Sequence, residues 1–480
     1  KIDFNKWFNS PYYPTPTIIA AAVEAYNTHT VSEIAQSEAG QADIDECVKS
    51  VGRIVADAKK FKRKCLCFVT GVPGAGKTLV GLDIVAENLG EKDNSSIYVS
   101  GNGPLVEVLR EALVKSTKTQ GKYDRDTRTA IMALISNSYS FKEYFSKNPI
   151  AKPEHILIFD EAQRVWNEKK MARKHKDEMM ACSEPQMILD IMNRHDDWAV
   201  MICLVGLGQD IYDGEVGINE WFRCGIENFL SWDIYYSPEI FSQTEDKSID
   251  KGMIKGCSRC HEISELHLST SIRSFRADKQ SKFVDALVDN DKDTAGKVYK
   301  AIESKYPIYI TRNYHEAKLW AKRQVRGSQR CGVLASSSAQ RLKPEGIFVP
   351  TDIDVKNWFL APSDDLRSSN MMEIVASEFK IQGLEIDWAV VCWDADLRRF
   401  NNSWDFYSFR GTKWMHRNKE EQKRYLLNSY RVLLTRARQG MVIFVPYGVD
   451  KEEDATRNHE YYDDIYAYLL DCGIKPLPEE

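Results

Sequence analysis

The sequence predicts an α/β fold built on two parallel sheets, and three observations carry that prediction. Short β-rich apolar runs without strict alternation recur at Cys65–Thr70, Ile97–Ser100, Ile156–Phe159 and Val200–Val205. A second series follows at Ile308–Thr311, Gly332–Ala335, Trp388–Trp393 and Met441–Val445. Helical patterns separate the runs in both series. Strands that are apolar on both sides and interleaved with helices belong to a parallel sheet covered on both faces. At 480 residues, and roughly 100–200 residues per domain, two blocks of this kind fit better than one very large sheet.

Taken in order, residues 1–55 read as a polar, mostly helical extension, with apolar stretches at Ile18–Tyr26 and Ile44–Val55. The first α/β block is expected over 56–262 and the second over 263–480, with the boundary in the polar stretch Ser242–Glu265. Leu105–Ser146 reads as helices inserted into the first block. With 65 Lys plus Arg against 70 Asp plus Glu, the formal net charge is −5. Bulk attraction to a polyanion is thereby excluded, and a nucleic-acid partner would need a local basic patch. The longest apolar runs, such as Trp198–Leu207, fall short of the ~20 residues of a bilayer span, so no membrane partner is expected. Eleven cysteines, mostly single and in apolar runs, fit reduced thiols in a cytoplasmic protein. The one cluster, Cys257-Ser-Arg-Cys260-His261, lacks a second ligand pair at zinc-finger spacing. The sequence opens on Lys1 rather than Met, which fits a piece of a longer protein.

The chemistry begins at Gly71-Val-Pro-Gly74-Ala-Gly76-Lys77-Thr78, which matches GxxxxGK[ST] at every fixed position. A β-run precedes it, and Leu79, Val80, Leu82, Ile84, Val85 and Leu89 mark a helix after it that stops at Gly90. Strand, glycine loop and helix together form an anion cradle. Lys77 is placed to reach the β- and γ-phosphates, and the Thr78 hydroxyl to ligate Mg²⁺. The run Ile156-Leu-Ile-Phe-Asp160-Glu161 delivers two acids at a strand's carboxyl end, where ligands bind in open α/β sheets. Asp160 can hold the Mg²⁺ shell, while Glu161 can polarise the attacking water. ATP is favoured over GTP, because the nearest base-reading string, Asn193-Arg-His-Asp196, precedes its strand and lacks the lysine.

Further motifs follow in a fixed order, and together they resemble superfamily 1 helicases. Leu204-Val-Gly-Leu-Gly-Gln209-Asp-Ile-Tyr212 is similar to the third motif, Leu268-Ser-Thr-Ser-Ile272-Arg273-Ser274 to the fourth, Ser377-Glu-Phe379-Lys-Ile-Gln-Gly383-Leu-Glu385 to the fifth, and Tyr430-Arg-Val-Leu-Leu-Thr435-Arg436-Ala-Arg438 to the sixth. With Ser100-Gly-Asn102-Gly-Pro-Leu105 and Asp160-Glu-Ala-Gln-Arg-Val-Trp166, the closer resemblance is to the Schlafen-like DNA/RNA helicase domain, from about Val55 to Tyr447. It implies two RecA-like P-loop NTPase domains and a role in antiviral or anti-phage defence. It further implies that Gln209 senses the γ-phosphate, that Gly383 and Glu385 border the nucleotide, and that Arg273 and Arg436 reach it from the second domain. Two positions depart from the pattern: Ile272 stands where an adenine-stacking aromatic is usual, and Phe379 where a histidine is common. Gln41 is the one candidate for an upstream adenine-reading glutamine.

DNA or RNA, taken as a single strand, is the expected partner. Lys169, Lys170, Arg173 and Lys174 form the clearest basic run, and Ser100 and Asn102 offer small polar groups for a sugar-phosphate chain. The Arg- and aromatic-rich stretch Arg398–Arg417 is a further candidate. Glu378-Phe-Lys380 imitates half of a metal-dependent nuclease site, but no strand-borne Asp precedes it; if the assembly cuts nucleic acid, the nuclease is expected in a preceding segment or another subunit. The rival to a motor is an ATP-switched scaffold or regulatory ATPase that does not translocate.

Overall fold

The computed structural model describes residues 17–28, 38–72, 74–88, 95–121, 124–174, 182–206, 217–241, 250–270 and 275–478. The first parallel sheet contains β1 (Lys64–Gly71), β2 (Ser96–Ser100), β3 (Ile135–Asn137), β4 (Ile156–Asp160), β5 (Ala199–Gly206), β6 (Trp232–Tyr236), β7 (Cys260–Glu262) and β8 (His267–Leu268). Their order is β3-β2-β4-β5-β1-β6-β7, with β8 also paired to β1. The second contains β9 (Ile308–Thr311), β10 (Cys331–Ala335), β11 (Val375–Ala376) and β12 (Ile386–Cys392). A small antiparallel sheet, β13 (Leu397–Phe400), β14 (Ser403–Arg410) and β15 (Lys413–His416), then interrupts the chain. The second sheet resumes with β16 (Ala437–Phe444) and β17 (Lys475–Pro476), in the order β11-β10-β12-β16-β9-β17.

Both large sheets bury both faces, which is why their strands read as unbroken apolar runs. In β1, Cys65, Cys67 and Val69 point to one face, while Leu66 and Phe68 point to the other beside Trp221 and Phe222. Helices α1 (Ile18–Thr28) and α2 (Glu38–Phe61) precede β1, α3 (Lys77–Glu87) follows β1, and α4 (Gly103–Thr119) follows β2. α2 buries Ile44, Cys47, Val48, Val51, Ile54 and Ala58 at helical spacing, and Lys59 and Lys60 close its last turn where cations suit the helix dipole.

Three expectations change here. α2 runs unbroken through the expected boundary at 55/56, because its apolar stripe continues to Ala58. The stretch after α4 is helical in α5 (Arg125–Leu134) and α6 (Ser138–Lys147), yet Ile135–Asn137 between them joins the sheet as β3. Three residues are too few to reveal a strand period. β8 lies past the expected 262/263 boundary but pairs with β1, so the first sheet extends at least to Leu268. The remaining labelled helices are α7 (Glu168–Lys174), α8 (Phe275–Val288), α9 (Val355–Leu360) and α10 (Glu420–Leu434). Among the described residues, no helix is long and apolar enough to cross a membrane.

At the carboxyl end of β12, Asp394 and Asp396 are fully buried. Asp396 accepts from the Tyr430 hydroxyl at 2.6 Å and the Ser336 hydroxyl at 2.8 Å. Burial, then repulsion from Asp394, pushes its pKa up to about 7. An unfolded aspartate ionises near 3.9, so between about pH 4 and 7 the folded chain keeps a proton that the unfolded chain has lost. This group's contribution to stability therefore falls as pH rises through that window. Asp396→Asn removes the penalty: its melting temperature relative to the parent should rise by a few degrees between pH 5 and pH 8. A difference independent of pH would contradict the assignment.

Candidate active site

β5 lies between β1 and β4, so the strand bearing the glycine loop and the strand bearing the acid pair stand about 10 Å apart, two inter-strand spacings. Their carboxyl ends open on the same edge of the sheet. After β1 the chain turns through Gly74 at φ 77° and Gly76 at φ 92°, left-handed conformations in which a Cβ is strained. Gly76 starts α3 without any side-chain cap, leaving the first helical N–H groups to an anion. Lys77 Nζ donates to the carbonyls of Gly71 (2.8 Å) and Val72 (3.3 Å), which holds the ammonium over the loop.

Across from it, Asp160 ends β4 with 4% of its surface exposed. Tyr98, buried in the neighbouring β2, donates its hydroxyl to Asp160 Oδ2 at 2.6 Å, and Thr78 lies beside the same hydroxyl. Burial, then the neighbouring Glu161 charge, pushes the Asp160 pKa up to about 7, against the pull of Tyr98 and Lys77. Thr78 and Asp160, brought together through one tyrosine, offer a hydroxyl and a carboxylate, which is a donor set that fits Mg²⁺. A divalent cation there would also supply the positive charge that this buried carboxylate lacks. Tyr98 escaped the sequence reading. The signal for it was a tyrosine in a buried strand, whose hydroxyl must find a partner.

Glu161 sits in the left-handed region, φ 56° and ψ 44°, an uncommon backbone for a non-glycine residue and one concentrated at functional sites. Its carboxylate accepts from Gln163 Nε2 and lies 3.3 Å from Arg164 Nε. Gln163 in turn accepts, through Oε1, from the backbone N–H of Gly206 at 2.8 Å. Gln163 thus joins the acid pair to the end of β5, where the third motif begins. Gln209 itself, with residues 207–216, lies outside the described residues.

The second lobe meets this edge through α4. Asn102 caps α4 by accepting from Leu105 N at 3.3 Å, and its Nδ2 donates to the Gln382 carbonyl at 2.7 Å. Gly383 follows at φ 72°, and a Cβ there would lie 2.5 Å from Asn102 Nδ2, so close approach of the lobes requires glycine. Lys115 of α4 donates to Leu360 O of α9 at 3.0 Å. Glu385 lies 3.8 Å from Arg438, which also faces Asp387 at 3.7 Å. Arg436, 7% exposed, sits in the turn between α10 and β16, donating from Nε to Val432 O (3.2 Å) and from Nη2 to Thr435 Oγ1 (3.1 Å). Arg273 and Ile272 lie outside the described residues. Just before them, Asp43 of α2 accepts from Ser269 N and Oγ and from Thr270 N, and Val72 N donates to Leu268 O.

A family model for Schlafen group 3, DNA/RNA helicase domain, matches residues 64–447. The chain belongs to this family. Among solved structures it is similar to Escherichia coli DEAH/RHA helicase HrpB at 10% identity and TM-score 0.31, over 89% of this chain and 46% of that one. The chain therefore spans about half the length of that helicase. No curated protein matches.

Several surfaces expected to meet nucleic acid are used internally in this Schlafen group 3 helicase domain. Ser100 is fully buried and accepts from Asn102 N, because it closes β2 and shapes the turn into α4. Asn102 spends both ends of its amide on the cap and the lobe contact, leaving Gly101 as the exposed group of that turn. In the Arg398–Arg417 stretch, Arg398 is buried against the rings of Tyr407, Trp414 and Tyr461, and Arg399 stacks on Tyr468. These cations pack the small antiparallel sheet against the helix Glu460–Asp471. Lys169 of α7 is exposed, and Lys170 lies 4.8 Å over the Trp166 ring. Arg173 and Lys174 end α7; their side chains fall outside the described set. Gln41 donates to Asp45 on its own helix at 2.7 Å. Glu378 accepts from Ser337 N and Oγ, and Lys380 pairs with Asp352, so the nuclease-like string is a loop tie. At the opposite edge of the sheet, His155 stacks on Trp198 (4.5 Å) and lies tilted against His195 (4.1 Å). With Asp197 they bring three potential ligand atoms within 4.8 Å of one another, and His155 Nε2 and Asp197 Oδ1 already pair at 3.3 Å.

Proposed function

We propose that this chain is an ATP-driven motor on single-stranded DNA or RNA, built from two RecA-like lobes that close on a nucleotide. The observation that carries the reading is the convergence of Lys77, Thr78, Asp160 and Glu161 on one sheet edge that the second lobe touches through Asn102 and Gln382. The loop N–H groups and Lys77 hold the β- and γ-phosphates. Thr78 and Asp160 would hold Mg²⁺, which would supply positive charge to balance the phosphate oxygens. Glu161 takes a proton from the attacking water, and Gln163 orients that carboxylate. Gln209 senses the γ-phosphate, Gly383 and Glu385 border the nucleotide from the second lobe, and Arg273 and Arg436 neutralise charge developing on the transferred phosphoryl. Loss of the γ-phosphate removes the anion that the arginines hold, and the lobes separate. The strand crosses both lobes at this same edge, past Gly101 and the Lys169, Lys170, Arg173 and Lys174 run. The defence role rests on the family resemblance.

ATP turnover measured with and without single-stranded DNA and RNA tests this, with Lys77→Ala as the inactive control. A motor is stimulated severalfold or more by a strand. Turnover indifferent to every strand, with ATP still bound, would instead identify an ATP-switched scaffold; the spending of Ser100, Asn102, Arg398 and Arg399 on internal contacts is what keeps that second reading in view.

A further inference from the structure

A buried glutamine must direct its amide somewhere, since an unpaired polar group in a dry interior costs several times what a hydrogen bond returns. Gln280, on α8, is 4% exposed and sits in the apolar core. Its Nε2 donates to the hydroxyl of Tyr306 at 2.6 Å and lies 3.1 Å from two carbonyls, those of Leu434 and Ala437. Tyr306, fully buried, donates to the same Ala437 carbonyl at 2.9 Å. Leu434 and Ala437 are the two residues that bracket Thr435-Arg436. The three contacts of this amide nitrogen thus end on the turn that carries Arg436, directly or through Tyr306.

An apolar side chain of equal volume would fill the space but would leave the turn free to rotate. The amide and phenol fix the peptide planes on both sides of Arg436, and so set where its guanidinium starts from. α8 begins two residues after Arg273, and Gln280 lies seven positions after it in the chain. A shift of α8 is therefore transmitted to the Arg436 turn.

We infer that Gln280, seconded by Tyr306, is a positioning residue for Arg436 and ties the arginine-bearing turn to the helix that follows Arg273. This rests on the reading of Arg436 as the group that meets the transferred phosphoryl.

The test is calorimetric binding of Mg·ADP, with and without aluminium fluoride as a mimic of the transferred phosphoryl, to the parent chain, Gln280→Met, Arg436→Ala and the double variant. Gln280→Met should weaken binding of the aluminium fluoride complex at least tenfold while changing ADP binding less than twofold. In the Arg436→Ala background the same substitution should cause no further loss, since its effect passes through that guanidinium. An equal loss in both backgrounds would assign Gln280 a general structural role and overturn the inference, as would unchanged binding in the single variant. If Gln280→Met does not fold, Tyr306→Phe, which keeps the ring, carries the same test with a loss of about threefold expected. Failure of Arg436→Ala itself to weaken the aluminium fluoride complex would overturn the underlying reading of Arg436.

Discussion

Glu161→Gln should bind ATP with nearly the parent affinity and turn it over about 10²–10⁴-fold more slowly, the range for loss of a positioned general base. The substitution keeps the size and the hydrogen-bonding reach of the side chain but removes its basicity. Glu161 is fit for this role because it follows β4 in a left-handed backbone conformation and Gln163 steadies its carboxylate. Asp160, by contrast, is buried against Tyr98, a position suited to holding a cation. Strand-stimulated phosphate release at saturating ATP, paired with equilibrium nucleotide binding, checks the prediction. Turnover within threefold of the parent would place the base elsewhere.

Arg436→Ala should cost more in kcat, about 10³–10⁵-fold, the range for removal of an arginine finger, with ATP binding retained. Here Arg436 rests on its own turn, donating to Val432 O and Thr435 Oγ1. These two acceptors are neutral, and a guanidinium bonds a negatively charged phosphoryl group more strongly than a neutral oxygen. Arg436→Lys should recover little of the loss, because a point charge does not reproduce the planar fork. Single-turnover hydrolysis separates this chemical defect from product release; a variant that differs from the parent only in ATP affinity would contradict it.

Much of this was legible in the chain. Gly71–Thr78 and Asp160-Glu161 announce themselves because phosphate chemistry dictates residue type and spacing together. The eight principal strands were legible because a doubly covered parallel strand is apolar on both sides. What stayed hidden depends on which pieces meet. β3 and β8 are two or three residues long and gain their identity only from β2 and β1 beside them. Ser100 and Asn102 have the composition of a strand-binding turn, yet the second lobe claims the amide. Arg398 has the composition of a nucleic-acid contact, yet three aromatic rings enclose it. Local chemistry was the same in each case, and the tertiary neighbour decided its use.

A triphosphate anchored by one lobe and completed by guanidinium groups of the other is the basis of the proposed motor. A crystal structure with Mg·ADP, aluminium fluoride and a single strand tests it most directly. The account predicts the fluoride held by Lys77 and, within hydrogen-bonding distance, by the Arg436 guanidinium released from Val432 and Thr435. Arg436 still bonded to its own turn, with only first-lobe groups around the fluoride, would contradict it.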